Sequence, residues 1–318
     1  MPLRALGALV LVAAACSTAP PSRSGPASAR HPAAAGTTGR STTAGSAAAT
    51  PGPHRAFRVA GFAAPESALY DEFHDRYLVA SSNGVAPGFV SVVDPNGVVV
   101  TPRFIEGERG AVTLGDPHGM AILDGRLYVA DVAALRMFYL DSGRPAGDIE
   151  LPSATFLDDV VADRATGRVY LADGALRRAA DGSDVPNGND AVYVIEKGAI
   201  RPLVRGRALG NPRALALDGG DTLFVGDAEG RVYRLGADGA FSDIVRGPWK
   251  SLSGLIAVGD RLFAADRDGD TVWQRRGDGD FVVLGSIRAP SDLGWDGKRR
   301  RLLVPSRAGN ALEAWDLD

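Results

Sequence analysis

One short segment recurs six times along the chain, and no other feature limits the possible folds so strongly. It is a brief apolar run closed by a small polar or acidic residue: YLVAS ending at Ser81, LYVAD at Asp131, VYLAD at Asp173, LFVGD at Asp227, LFAAD at Asp266 and LLVPS at Ser306. The closing residues stand 50, 42, 54, 39 and 40 positions apart. Strand-built repeats of about 40 to 50 residues are the signature of propeller blades. Each copy follows a second apolar segment: PESALYD from Pro65, PHGMAIL from Pro117, LDDVVAD from Leu157, PRALALD from Pro212, LSGLIAV from Leu252 and PSDLGWD from Pro290. A third segment comes after it, such as FVSVVD from Phe89 or RVYRLG from Arg231, and turns such as Asp124-Gly125 and Asp238-Gly239 separate the runs. Runs this short, punctuated this way, are strands joined by hairpins. With a fourth strand per unit the expected fold is all-β, a six-bladed β-propeller with four-stranded blades over residues 55–318, which leaves few exposed sheet edges.

The chain ends give a separate expectation. After the segment from Ala311 the protein stops, so the sixth unit lacks an outer strand. Residues 55–62, RAFRVAGF, precede the first inner strand and alternate in character. They are expected to pair as the outer strand of the last blade and close the ring.

Upstream of the repeats the composition changes. Residues 1–16 read MPLRALGALVLVAAAC, with one charge at Arg4, a short apolar run and three alanines before Cys16, the only cysteine. The run is shorter than the roughly 20 apolar residues that span a bilayer and reads as an export signal. Small residues before a lone cysteine resemble the lipobox of bacterial lipoproteins, in which Cys16 is lipidated and becomes the mature N-terminus; a secreted or periplasmic product cleaved nearby is the alternative. Residues 17–54 are almost wholly Ala, Pro, Ser, Thr and Gly with scattered arginines. Such a stretch lacks the apolar groups that repay ordering and is expected to be a disordered tether. Beyond residue 55 the chain keeps 30 basic against 38 acidic residues, a net charge of −8. That balance opposes nucleic acid and anionic lipid, so membrane contact is expected only through the anchor. A single thiol excludes an internal disulfide framework, and a monomer is expected.

In a propeller the inner strands start, and the second strands end, at one mouth of the central channel, the usual place for a ligand. The second position of each inner-strand segment supplies Glu66, His118, Asp158, Arg213, Ser253 and Ser291; Asp159 and Asp292 follow directly. The acids Asp131, Asp173, Asp227 and Asp266 recur in register with the repeat and read as ties to backbone amides at a turn. In the third unit, residues 174–190 form a long insertion that opens on this mouth, as a lid or as a surface excursion. DRDGD at 266–270 is better explained by a tight hairpin than by a calcium loop. No nucleophile elbow, phosphate loop, zinc pattern or dinucleotide fingerprint is present.

The segments PESALYDEFHDRYLVAS, PHGMAILDGRLYVAD and FLDDVVADRATGRVYLAD resemble blades of the senescence-marker-protein/gluconolactonase-like propellers, which border on NHL-repeat proteins. The resemblance covers residues 56–318. It implies one divalent cation (calcium, magnesium or zinc) on the channel axis, held by Glu66 and Asp158, with His118 or Asp159 handling protons as lactone or ester is hydrolysed. Two positions depart from the pattern: Arg213 stands where an amide ligand is implied, and Ser253 where a carboxylate is. A guanidinium has no lone pair to offer a metal. Arg213 instead fits charge pairing with the channel acids, or an anionic ligand, and Arg213, Ser253 and Asp292 are the expected ligand-facing channel residues. Two functions stand side by side: a binding propeller for a small molecule, carbohydrate or surface protein, and a metal-dependent lactonase.

Overall fold

The computed structural model describes residues 52–317, except 83–86, 152, 182, 220 and 221. The signal segment, Cys16 and nearly all of the tether lie outside the described residues.

Six four-stranded antiparallel sheets follow one another along the chain. Each runs as a meander from inner to outer strand, starting in blade 1 with Pro65–Asp71, Arg76–Ser81, Phe89–Val93 and Val99–Glu106. The inner strands of blades 2 to 6 are Pro117–Leu123, Leu157–Asp163, Pro212–Leu217, Leu252–Val258 and Gly294–Asp296. All six repeated segments fall on second strands, so the architecture is a six-bladed β-propeller. Blade 6 is completed from the other end of the chain. His54–Ala60 pairs antiparallel with Ala311–Asp316, from His54 opposite Asp316 to Ala60 opposite Ala311. The expected span of 55–62 is displaced slightly, because Gly61 turns at φ 110° and the amides of Gly61 and Phe62 bond to the Asn310 carbonyl.

The core is divided among the joints between blades. Leu78, Val90 and Ile105 of blade 1 pack on Met120, Leu127 and Phe138 of blade 2. The same pattern passes around the ring to the joint of blades 6 and 1, where Leu303, Leu312 and Ala314 meet Ala68, Tyr77 and Val79. Small residues recur at these faces because neighbouring sheets pack closely at the centre.

The acids that end second strands act as backbone ties. Asp131 accepts the amides of Gly115 and Asp116 at 3.0 and 2.7 Å. Asp173 accepts Phe156 and Ala175 at 3.1 and 2.9 Å. Asp266 accepts Lys250, Ser251 and Gly269 at 3.0, 2.9 and 3.1 Å. Each holds the loop that leads into its own inner strand, while Asp227 binds the amide and guanidinium of Arg231. The bond to Gly269 also makes DRDGD a closed hairpin. Asp266→Ala leaves three amides without this acceptor and is expected to cost about 1–3 kcal/mol, read from the urea midpoint; an unchanged midpoint would contradict the role.

Candidate functional site at the channel mouth

A repeated irregularity prepares the mouth. In blade 1 Pro65 pairs with Ser81 and Ser67 with Ala80, so Glu66 is left out of the ladder. The same bulge omits Asp158, Arg213 and Ser253, and a wider one omits His118 and Gly119. A bulge leaves its extra residue unpaired and re-aims the side chain. These second positions therefore supply the mouth.

Two groups of side chains form there. In one, Asp158 lies between His118 and Arg213: its oxygens are 3.6 Å from His118 Nδ1 and 3.6 Å from an Arg213 terminal nitrogen. His118 Nε2 faces Asp116 at 3.6 Å, and Ser82 donates to Asp116. Phe156 closes the apolar side, edge-on to His118 with centroids 5.1 Å apart and 5.8 Å from the Arg213 guanidinium. In the other group Glu66, only 3% exposed, pairs with Arg307 and with Arg267 at 3.4 Å, and Ser291 donates to it at 3.4 Å. Glu66 and Asp158 hold the same bulged position in their blades, so both groups stand at one mouth.

Ser253 is committed elsewhere. Its Oγ lies 2.8 Å from the Pro290 carbonyl and 3.2 Å from that of Ala265, tying blade 5 to blade 6. The insertion carries a short ribbon, Leu176–Arg178 with Asp184–Pro186. Its base is fixed by Asn187 to Thr155 at 2.9 Å and by Asn211 to the Gly174 carbonyl at 2.7 Å, beside Phe156.

Asp159 and Asp292 stand one step further down the channel. Asp159 accepts the amides of Val160 and Leu215, both at 2.7 Å. Asp292 accepts Leu293 N and Ser67 Oγ, both at 2.9 Å. Neighbouring strands approach tightly here: a Cβ on Gly119 would lie 2.2 Å from Asp159 Oδ1, and one on Gly254 2.7 Å from Asp292 Cα. The chain thus separates the adjacent acids Asp158 and Asp159, the first pairing at the mouth and the second spanning blades 3 and 4.

Burial opposes protonation of His118, but the carboxylates of Asp116 and Asp158 outweigh it, so the imidazole titrates above its ordinary value. Asp116 is held below its own, burial being overcome by His118 and Ser82. Burial, then the charge of Asp292, raises Asp159 well above a usual carboxyl. Burial raises Asp292 to about 7 against its bonds from Ser67 and Leu293, with the Asp158 charge adding to the rise.

Arg267, Arg307, Asp116 and Phe156 were not among the residues expected from the sequence. A signal existed for two of them: Arg267 and Arg307 immediately follow Asp266 and Ser306, so the strand-end rule carried one residue further reaches both.

No family model matches the sequence, and no curated protein matches it. Among solved structures the chain is similar to a gluconolactonase from Xanthomonas campestris, with a TM-score of 0.63 and 17% identity over 84% of this chain and 89% of that one. It has a gluconolactonase-like propeller fold. A chain of a nidogen/laminin complex is also similar, with a TM-score of 0.52 and 17% identity over 67% of this chain and 75% of that one.

The mouth does not fit the divalent cation that the sequence resemblance implies. Two guanidiniums already neutralise Glu66, and Asp158 is shared by a guanidinium and an imidazole. Among the described residues no three His, Cys, Asp or Glu side chains form a group able to hold a metal. A hard cation needs about six oxygen ligands; here positive charge is supplied by Arg213, Arg267 and Arg307.

Proposed function

We propose that the protein is an envelope-anchored binding propeller whose mouth takes a small polyhydroxylated molecule of the sugar or sugar-acid class. The observation that supports this reading is a set of buried polar atoms without hydrogen-bond partners: His118 Nε2, Asp158 Oδ2, Arg213 Nε and Arg267 Nε. Buried polar groups are normally satisfied, so this mixture of donors and acceptors calls for a ligand bearing both. Phe156 adds an apolar face suited to sugar C–H groups, and guanidiniums suit a carboxylate. Lipidation at Cys16 would place the binding head outside the membrane, on the tether of residues 17–54.

Calorimetric titration of the protein with a panel of hexoses, aldonates and aldonolactones tests the reading. At least one member is expected to bind, and Arg213→Ala to weaken it about 10- to 100-fold, since a charged hydrogen bond is worth about 1.5–3 kcal/mol. Failure of the whole panel, or full affinity in the variant, would overturn it. Lactone hydrolysis is the second reading. It is favoured by His118, held between two carboxylates where it can pass a proton to or from a bound ester. It predicts turnover that disappears in His118→Gln.

A further inference from the structure

A cavity of about 770 Å³ occupies the channel beyond Asp159 and Asp292. Its lining includes the later residues of the inner strands and hairpin residues Glu72, Arg164 and Lys298. Those hairpins join inner to second strands, so the cavity opens at the end of the channel opposite the mouth described above.

The wall is mainly aliphatic, with Leu69, Ile122, Val161, Leu217 and Ile256 around it and Trp295 at one side. Rim cations have partners: Arg164 pairs with Glu72, and Lys298 with Asp75 at 2.6 Å. The two inner acids differ. Among the described residues no Lys, Arg or His forms an ion pair with Asp159 or Asp292, and their hydrogen bonds come only from backbone amides and one serine. Each carboxyl oxygen has a second lone pair beyond the bond it accepts. An apolar chamber of this size is right for a small organic molecule, and its inner end offers two acidic groups with no cation of their own.

We propose that this cavity is a second ligand site, for a small organic amine whose ammonium meets Asp159 and Asp292 while its hydrocarbon body lies along the aliphatic wall. An ammonium donates three hydrogen bonds and carries the missing charge. A bare metal ion is a poorer match, because the carbon-lined wall cannot complete an oxygen shell. The proposal does not rest on the sugar-class reading of the mouth, since the two sites share no side chain, although the Asp158 charge is felt at both inner acids.

Cyclohexylmethylamine and cyclohexylmethanol, which share a shape and differ in charge, are the probes, titrated into the full chain by calorimetry. The amine is expected to bind at least about 10-fold more tightly, the scale of one charged hydrogen bond. Asp292→Asn should remove that preference while keeping the fold. Leu217→Trp, which narrows the chamber and leaves both acids in place, should weaken binding of both probes. Equal affinity for the two probes, an amine preference surviving Asp292→Asn, undiminished binding in Leu217→Trp, or calcium displacing the amine at equal concentration would each overturn the proposal.

Discussion

Deleting residues 54–60 is expected to lower the thermal midpoint by on the order of 10 °C or more, while deleting residues 17–50 leaves it unchanged. The first segment supplies the outer strand of blade 6, and its residues reach well beyond the ladder. Phe57 and Val59 pack on the core joint between blades 6 and 1, with the Phe57 ring 6.1 Å from Tyr77. Arg55 and Arg58 approach Glu313 at 3.4 and 3.5 Å, and that carboxylate is only 8% exposed. Removal therefore uncovers apolar surface, frees a sheet edge and strips a buried acid of both cations. Together these cost about 5 kcal/mol, and a domain of this size shifts by roughly 2–4 °C per kcal/mol. Equal midpoints for the two deletions in calorimetry would show that the ring does not depend on this strand.

The closure was legible because it follows from counting strands against the end of the chain. Blade number was legible for the same reason: a repeat writes its period into the sequence. The backbone ties at Asp131, Asp173 and Asp266 were legible from their recurrence in register. The mouth was legible only in part. Glu66, His118, Asp158 and Arg213 share one position in the repeat, and the bulge at that position takes them out of the ladder and into the mouth. The same bulge separates Asp158 from Asp159, and a one-residue shift of register is invisible in a list of apolar runs. That is why Asp159, expected to handle protons beside Asp158, stands instead at the inner end of the other chamber. Ser253 shows a different limit. Its position was right, but a hydroxyl bonded to two carbonyls cannot be distinguished by sequence from one offered to a ligand. Arg267 and Arg307 entered through neighbouring loops, and they change the chemistry most, since they turn Glu66 from a prospective metal ligand into the centre of an ion cluster.

Asp292→Asn is expected to stabilise the protein above neutral pH by a few kcal/mol and to have little effect near pH 4. The sign follows from the carboxyl's two proton affinities, about 7 when folded against an ordinary value of 3.8. Below about pH 4 the group is protonated in both states, and the neutral acid favoured by its buried place is fully present. Between about pH 4 and 7 the folded protein holds a proton that the unfolded chain has released, so stability falls as pH rises. Above 7 the folded state carries an uncompensated, partly buried carboxylate, at about 1.36 kcal/mol for each pH unit between the two values. Asparagine removes that charge while still accepting from Leu293 N and donating to Ser67 Oγ. Asp159 is displaced in the same direction, so both acids make the wild type lose stability over this window, and His118 adds a further loss only above its ordinary value of 6.5. Subtracting urea-unfolding free energies of wild type from those of the variant, from pH 4 to 8, reports Asp292 together with its charge's effect on Asp159. The difference should climb through pH 4 to 7 and then level off. A flat difference would mean that the carboxyl is hydrated in the folded protein, and that the inner end of the chamber is more polar than its aliphatic walls suggest.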